Sequence, residues 1–372
     1  MPQGPLAGIR VVEFAGLGPA PFAAMVLADM GADVIRIDRP DAHAAFARPE
    51  HDLLNRGRRS IALDLKAADS RGTVMALCAR ADVLIEGFRP GVLERLGYAP
   101  EVLQEANPGL VVGRMTGWGQ HGALAGSPGH DINYIAMAGA LHPVGDASLP
   151  PPPPINFVGD FGGGAMVLVS GILAALVERQ QSGRGQVIDA AMVDGAAMLT
   201  TQVHGWRAGG LWTDRRGTNL LDGGSYFYRS YTTLDRRYIA VGAIEPQFHH
   251  AFIAGLGLSL ADFDEQLNPA HWPGRSARIA AIIATRSRDD WIGRFAGSDA
   301  CVSPVLTLAE AIDHPVNRER GVFGAVEGID QPMSSPRFSR TPGPVSRGPC
   351  RPGEDSDAIL AALAASADWP AA

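Results

Sequence analysis

Short β-branched apolar runs alternate with helix-like stretches from the start of the chain, and this alternation limits the possible folds more than any other feature. The runs are IRVVEF (9–14), ADVIRID (32–38), SIALDL (60–65), ADVLIEGF (81–88) and LVVGRMTG (110–117). Between the first two lies PAPFAAMVLADMG, with Pro19 near its start and Gly31 near its end, the usual proline–glycine asymmetry of a helix. Residues 70–80 and 91–106 read as further helices. Strands separated by helices pair in parallel, because a crossover returns the chain to the same end of the sheet. The expected class is α/β, with a Rossmann-like, doubly wound large domain over residues 1–200.

Beyond that domain the pattern changes. DASLPPPPPIN (146–156) cannot be a helix interior or a central strand, since proline has no N–H to donate and a locked φ. It reads as an extended connector into FVGDFGGGAMVLVSGILAALVERQ. A glycine-rich passage at 209–224 marks the departure from the first domain. YFYRSYTTLDRRYIAVGAIE (226–245) is a hairpin signal with Asp235 and Arg236 near the turn, and 247–297 is helical. A smaller α+β domain is therefore expected over 220–315. Residues 316–372 form a C-terminal segment that returns to the large domain. A chain of 372 residues, 46% hydrophobic, has enough apolar material for both cores.

Charge and cysteine usage exclude several functions. A formal net charge of −7 argues against nucleic acid as a partner, since phosphate binding needs a basic surface. The three cysteines, Cys78, Cys301 and Cys350, are far apart and belong to no Cys/His cluster, so neither a disulfide framework nor a metal site is expected. The first residues lack the basic and apolar regions of a signal peptide. The longest apolar stretch, AMVLVSGILAALV (165–177), is too short and too rich in alanine to span a bilayer and reads as a buried helix. With no SKL-type ending, a cytoplasmic protein without membrane insertion is expected.

The turn after the first strand contains Gly16 and Gly18, but Pro21 stands where a dinucleotide fingerprint wants its third glycine. Asp38 occupies the position of a ribose-binding acid, and Arg39 follows it. A guanidinium at a strand end suits a phosphate. A phosphorylated adenosine fits this pattern, as does a plain solvated charge at Arg39, and coenzyme A carries such a phosphate as NADP does. Arg56, Arg58, Arg59, Lys66, Arg89 and Arg95 crowd the first hundred residues of an acidic chain. That crowding reads as a positive groove for a polyanion.

Three polar sites stand in apolar or glycine-rich surroundings: His130 and Asp131 in GHDINY, Asp160 in VGDFGGG, and Glu245 in AVGAIEPQF. An aspartate at a helix entrance is by itself only an N-cap. Gly162 to Gly164, however, remove side chains where a ligand could approach. They also leave helix N-terminal amides directed at developing negative charge. Met115, Met137 and Met192 suit the lining of a tolerant acyl pocket, and equally the plain core.

These segments, with GIRVVEFAGLGPAPFAAMVLADMGADVIRIDRP, RMTGWGQHG, GRGQVIDAAMVDG, NLLDGG and DACVSPVL, carry a resemblance to the α-methylacyl-CoA racemase branch of the family III CoA-transferases. The resemblance runs from residue 8 to about 340, and GHDINY with AVGAIEPQF is specific to the racemase branch. It implies an interlocked homodimer, an acyl-CoA thioester substrate and no separate cofactor, CoA being part of the substrate. It also implies an acid–base pair of His130 and Asp160, with Glu245 orienting the histidine and Asp131 in the same catalytic segment. The CoA-contacting segments would be Arg39, Leu63, Asp64, Leu65 and Lys66, and Gly129 to Tyr134, with Arg95 and Arg56 in the cleft. The implied reaction interconverts (R)- and (S)-2-methylacyl-CoA by two-base proton transfer through an enolate. The alternative is a CoA transferase of the same superfamily, with Asp160 as nucleophile.

Overall fold

The computed structural model describes residues 4–41, 48–343, 345, 347–366 and 368–370. The chain divides into two compact units, one made of Met1–Ala138, Ile155–Leu199 and Pro315–Ala372, the other of Gly139–Pro154 and Thr200–His314.

The larger unit is built on six parallel strands: β1 (Arg10–Phe14), β2 (Asp33–Asp38), β3 (Arg58–Ala62), β4 (Val83–Glu86), β5 (Val111–Thr116) and β6 (Val187–Ala191). Their order is β3-β2-β1-β4-β5-β6. Four of the five expected apolar runs contain a strand one or two residues shorter at its ends, while β3 begins two residues before the SIALDL run, at Arg58, and ends at Ala62. Both faces of a doubly wound sheet are covered, and residues of both faces are buried along β1 to β5, charged ones such as Glu13, Arg58 and Glu86 included. Alternate residues serve opposite faces. Val11, Val34, Val83 and Val111 pack beneath helix α1 (Pro19–Asp29), while Val12, Ile35, Leu84 and Val112 pack beneath α2 (Ala68–Cys78). The single helix expected over 91–106 is two, α3 (Val92–Arg95) and α4 (Pro100–Ala106). Gly97, at φ 80°, turns the chain between them, and Pro100 begins the second.

After β5 the chain forms α5 (Asp131–Met137). The connector then leads into a π-helical segment, Phe157–Ala165, which runs unbroken into α6 (Met166–Ser182). The resulting 26-residue helix, Phe157–Ser182, is long and apolar enough to cross a membrane by length and composition. It is thus longer than the stretch the sequence suggested. Leu168, Val169, Ile172 and Ala175 are nevertheless buried with Val111, Met115 and Ala190, as expected of a core helix. The helix α7 (Met192–Leu199) completes this part of the unit.

In the other unit, α8 (Thr201–Ala208) precedes an antiparallel sheet of β7 (Tyr228–Thr232), β8 (Tyr238–Gly242) and β9 (Val302–Pro304). The hairpin turn passes through Arg236 at φ 60°. Helices α9 (Pro246–Gly255), α10 (Trp272–Ile283) and α11 (Arg288–Phe295) bury Phe252, Trp272, Trp291 and Phe295, and α12 (Leu308–Asp313) follows. Gly139–Pro154 groups here, outside the 220–315 range read from the sequence. The Arg216 guanidinium holds it through the carbonyls of His142 and Leu149, at 3.0 and 2.6 Å.

The C-terminal segment belongs to the larger unit. It contains α13 (Pro315–Arg320), a hairpin of β10 (Phe323–Val326) and β11 (Ile329–Pro332), and α14 (Ser356–Ala365). β3 is an edge strand, whose free backbone groups invite unwanted pairing. Here the amides of Ser60 and Ala62 donate to the Asp355 carboxylate and the Ser356 hydroxyl, at 2.9 and 3.0 Å.

Candidate active site

The strand order reverses between β1 and β4, and ligands of doubly wound sheets bind where carboxyl ends diverge in this way. A cavity of about 560 Å³ opens there, within the larger unit. Its walls come from the Gly16–Pro21 turn after β1, the Gly87–Pro90 turn after β4, and the residues after β5 through Trp118. His130, Tyr134, Asn156 and Asp160 complete it.

His130 is exposed and precedes α5, its backbone N–H donating to Asn133 Oδ1 at 3.1 Å. Asp160 is half-buried. It lies in the first turn of the π-helical segment, whose cap position is held by Asn156 instead. The next residue, Phe161, stacks on Phe22 of α1 with ring centroids 4.5 Å apart, which fixes this turn against that helix. Asn156 Nδ2 donates to Asp160 Oδ2 at 3.0 Å. Burial pushes the Asp160 carboxyl above the usual aspartate range. The Asn156 bond opposes that shift, the Asp131 charge adds to it, and a charged His130 opposes it.

Gly18 makes the turn possible. Its φ of 67° and ψ of −114° suit glycine alone, and a Cβ there would stand 3.1 Å from Asp160 Oδ2. Gly18→Ala should cost roughly 1–3 kcal/mol from the backbone conformation. Because the carboxylate must also shift, activity should fall beyond what the lowered Tm explains. Thermal melts paired with assays well below Tm check this; activity falling only with the folded fraction would contradict it.

Tyr134 is buried with its ring edge-on to Trp118, the centroids 4.8 Å apart. Gly117 and Gly129 flank it so closely that a Cβ on either would lie 2.1 or 2.7 Å from the ring. Burial raises the Tyr134 phenol, the Asp160 charge adds to the shift, and Arg89 opposes it. Met115 and Met192 line the cavity, while Met137 is 68% exposed and outside the lining.

Several residues expected in the site stand elsewhere. Arg56 is buried, paired to Asp29 at 2.6 Å, and donates to Gln331 and to the Pro332 carbonyl at 2.8 Å each. Its donors are committed to tying the C-terminal hairpin down, so it is no cleft residue. Arg58 is fully buried against Glu13 at 2.6 Å and also bonds the carbonyls of Leu54 and Pro21, and Arg59 pairs with Asp33. A buried guanidinium persists only with such partners. The positive groove read from 56–59 is therefore internal structure. Asp38 is buried too, accepting from Arg36 and Ser60 at 2.6 Å each, so it has no free oxygen directed at a ribose.

The glycines after Asp160 also have another purpose. A Cβ on Gly163 would lie 2.5 Å from the Ala196 amide nitrogen, and one on Gly195 would lie 1.7 Å from the Gly163 carbonyl oxygen. They allow α7 to pack backbone to backbone on the π-helical segment. Of the helix N-terminal amides near Asp160, those of Gly159 and Asp160 are already taken by Asp131 Oδ2 at 2.6 and 2.7 Å. Asp131 is buried and outside the lining, so it is not a proton-transfer group.

Arg39 is exposed at the end of β2, beside Leu63–Lys66 after β3, where the Leu63 amide donates to the Asp38 carbonyl at 2.8 Å. Both are at the carboxyl edge of the sheet but outside the cavity lining, as is the exposed Arg95 of α3. Glu245 is exposed and precedes α9 in the other unit. Of the basic residues read as a positive groove, Arg89 does line the cavity, and the cavity adds Asn156, which sequence reasoning did not select. Arg89 follows β4 at the switch point, a position that topology alone could have flagged. Asn156 carries no such signal. Among the described residues no group of three or more His, Cys, Asp or Glu could hold a metal ion.

A doubly wound sheet whose switch-point cavity is lined by His51, Asp52, His130 and Asp160 defines an enzyme class equipped for acid–base or acyl chemistry. The chain belongs to CoA-transferase family III, whose model matches residues 6–356. It is 46% identical over 338 residues to the α-methylacyl-CoA racemase of Mus musculus, covering 91% of this chain and 87% of that protein. The α-methylacyl-CoA racemase of Homo sapiens is 44% identical with the same coverage. A succinyl-CoA–L-malate CoA-transferase β subunit of Chloroflexus aurantiacus is 28% identical, covering 96% and 93%. Among solved structures, a CAIB/BAIF family protein from Brucella suis superposes with a TM-score of 0.84 at 27% identity, covering 97% of this chain and all of that one.

Proposed function

We propose that this chain is an α-methylacyl-CoA racemase, interconverting (R)- and (S)-2-methylacyl-CoA. The observation that carries the reading is one cavity lined by both His130 and Asp160 in a chain 44–46% identical to named racemases. Inversion beside a thioester takes a proton from one face of the α-carbon and returns one to the other. It therefore needs two groups, each able to act as base and acid.

In one direction His130 accepts the α-proton, the electron pair moves into the thioester as an enolate, and the protonated Asp160 delivers its proton to the opposite face. The reverse direction exchanges the roles. Burial raises the Asp160 carboxyl above the ordinary aspartate range, so it holds a proton more readily, which suits reversible transfer. Arg39, Leu63–Lys66 and Arg95 are assigned to the CoA moiety, whose binding energy holds the α-carbon between the two groups. Glu245 is assigned to orient His130 in an interlocked homodimer, and the protein to the cytoplasm.

The test is incubation with (R)-2-methylacyl-CoA in D₂O. Deuterium at the α-carbon together with loss of stereochemical purity is the expected result. CoA exchange onto a free carboxylate without deuterium uptake would replace the racemase by a transferase with Asp160 as nucleophile.

A further inference from the structure

We propose that Asp131 is a positioning residue that ties the two proton-transfer groups together, joining the start of the helix next to His130 to the turn that carries Asp160. The inference rests on the racemase reading for its kinetic consequences, though not for its geometry.

Asp131 follows His130 directly and is 6% exposed. One of its oxygens, Oδ2, accepts both the Gly159 amide at 2.6 Å and the Asp160 amide at 2.7 Å, across 28 and 29 residues of chain. Both are charge-assisted bonds to groups in the first turn of the π-helical segment, where amides have no partner within the helix. Gly159 is part of the device: a Cβ there would lie 2.6 Å from Asp131 Oδ2, so any other residue would displace the carboxylate.

The second oxygen, Oδ1, is buried without a hydrogen-bond partner among the described residues. A buried carboxylate with an unpartnered oxygen is costly to fold. An uncharged cap would hold two amides at less cost. The arrangement instead places a fixed negative charge beside Asp160, whose carboxyl is faced by His130, Asp131 and Tyr134 from α5 and its cap, and by Asn156 from the connector. Asp131 thereby sets the place of Asp160 and favours its protonated form.

Two substitutions separate these effects. Asp131→Ala removes the anchor. It should lower kcat for inversion by about 100-fold, the scale of a 1 Å misplacement, with KM changed by less than roughly threefold. Because His130 keeps its own tie to Asn133, deuterium exchange from one enantiomer should outlast inversion, raising the exchange-to-inversion ratio. Asp131→Asn keeps an acceptor for the amides and removes the charge. The Asp160 carboxyl, followed by ¹³C NMR in the substrate-free protein and assigned with Asp160→Asn, should then titrate at lower pH than in the wild type.

Inversion within roughly threefold of wild type in Asp131→Ala, or exchange and inversion falling in equal proportion, would overturn the proposal. So would an unmoved Asp160 titration in Asp131→Asn, which decides the matter if the alanine variant does not fold. A wild type that fails to invert 2-methylacyl-CoA while Asp131→Asn still shifts Asp160 would refute the racemase and leave the positioning role supported.

Discussion

Asp160→Asn is expected to abolish inversion in both directions, lowering kcat by about 10²- to 10⁴-fold, the usual contribution of a positioned acid–base group. The asparagine is nearly isosteric and remains next to Asn156 and the Gly18 turn, so the fold and CoA-ester binding should survive. What is lost is a group that can hold and release a proton. The pH dependence of the wild type adds a second signature. Burial, with Asp131 assisting, raises the Asp160 carboxyl, so its base form is lost on acidification at a higher pH than for an ordinary aspartate. The acid limb of kcat/KM in the direction that uses Asp160 as base should therefore fall above the ordinary carboxylate range, and it should vanish in the variant. Inversion within about tenfold of wild type would remove Asp160 from the mechanism. This substitution does not separate racemase from transferase, because a nucleophile would be lost as well.

His130→Ala does separate them. Inversion needs both groups and should disappear, by about 10²- to 10⁴-fold in kcat. Exchange needs only one. The enantiomer whose α-hydrogen faces Asp160 should still take up deuterium with retention of configuration, while the other enantiomer should become inert. No merely structural role of an exposed side chain produces that asymmetry. The backbone half of the capping box at the start of α5, the His130 N–H to Asn133 Oδ1, survives the change. Equal loss of exchange from both enantiomers would contradict the two-sided arrangement. Unimpaired acyl exchange in this variant would favour the transferase.

The errors of sequence reading share a physical cause. Arg56, Arg58 and Arg59 looked like a phosphate groove because a row of cations carries no information about its partners. Asp29 and Asp33, 27 and 26 residues away, reach them only when parallel strands and α1 stack. Gly162–Gly164 looked like room for a ligand because a missing side chain does not say what fills the space, which at Gly163 is the backbone of α7 and at Gly164 the Met192 and Met115 side chains. Asp131 looked like part of the chemistry because it adjoins His130. Its carboxylate faces away from the cavity, into amides contributed by a distant turn. Asn156 was overlooked for the converse reason, since its importance lies wholly in a 3.0 Å distance to Asp160.

Local chemistry was thus readable from residue order alone. Apolar runs with helical intervals dictate a parallel sheet, glycines without a third partner dictate a tight turn other than the dinucleotide loop, and GHDINY and VGDFGGG mark the segments that bring His130 and Asp160 to the cavity. These signals depend on neighbours within a few positions, where backbone geometry acts directly. Which charges are buried in pairs, which glycines admit another helix, and that His130 and Asp160 open onto one cavity were settled by packing. Those outcomes depend on through-space distances of a few ångströms between segments far apart in the chain, which no local pattern encodes.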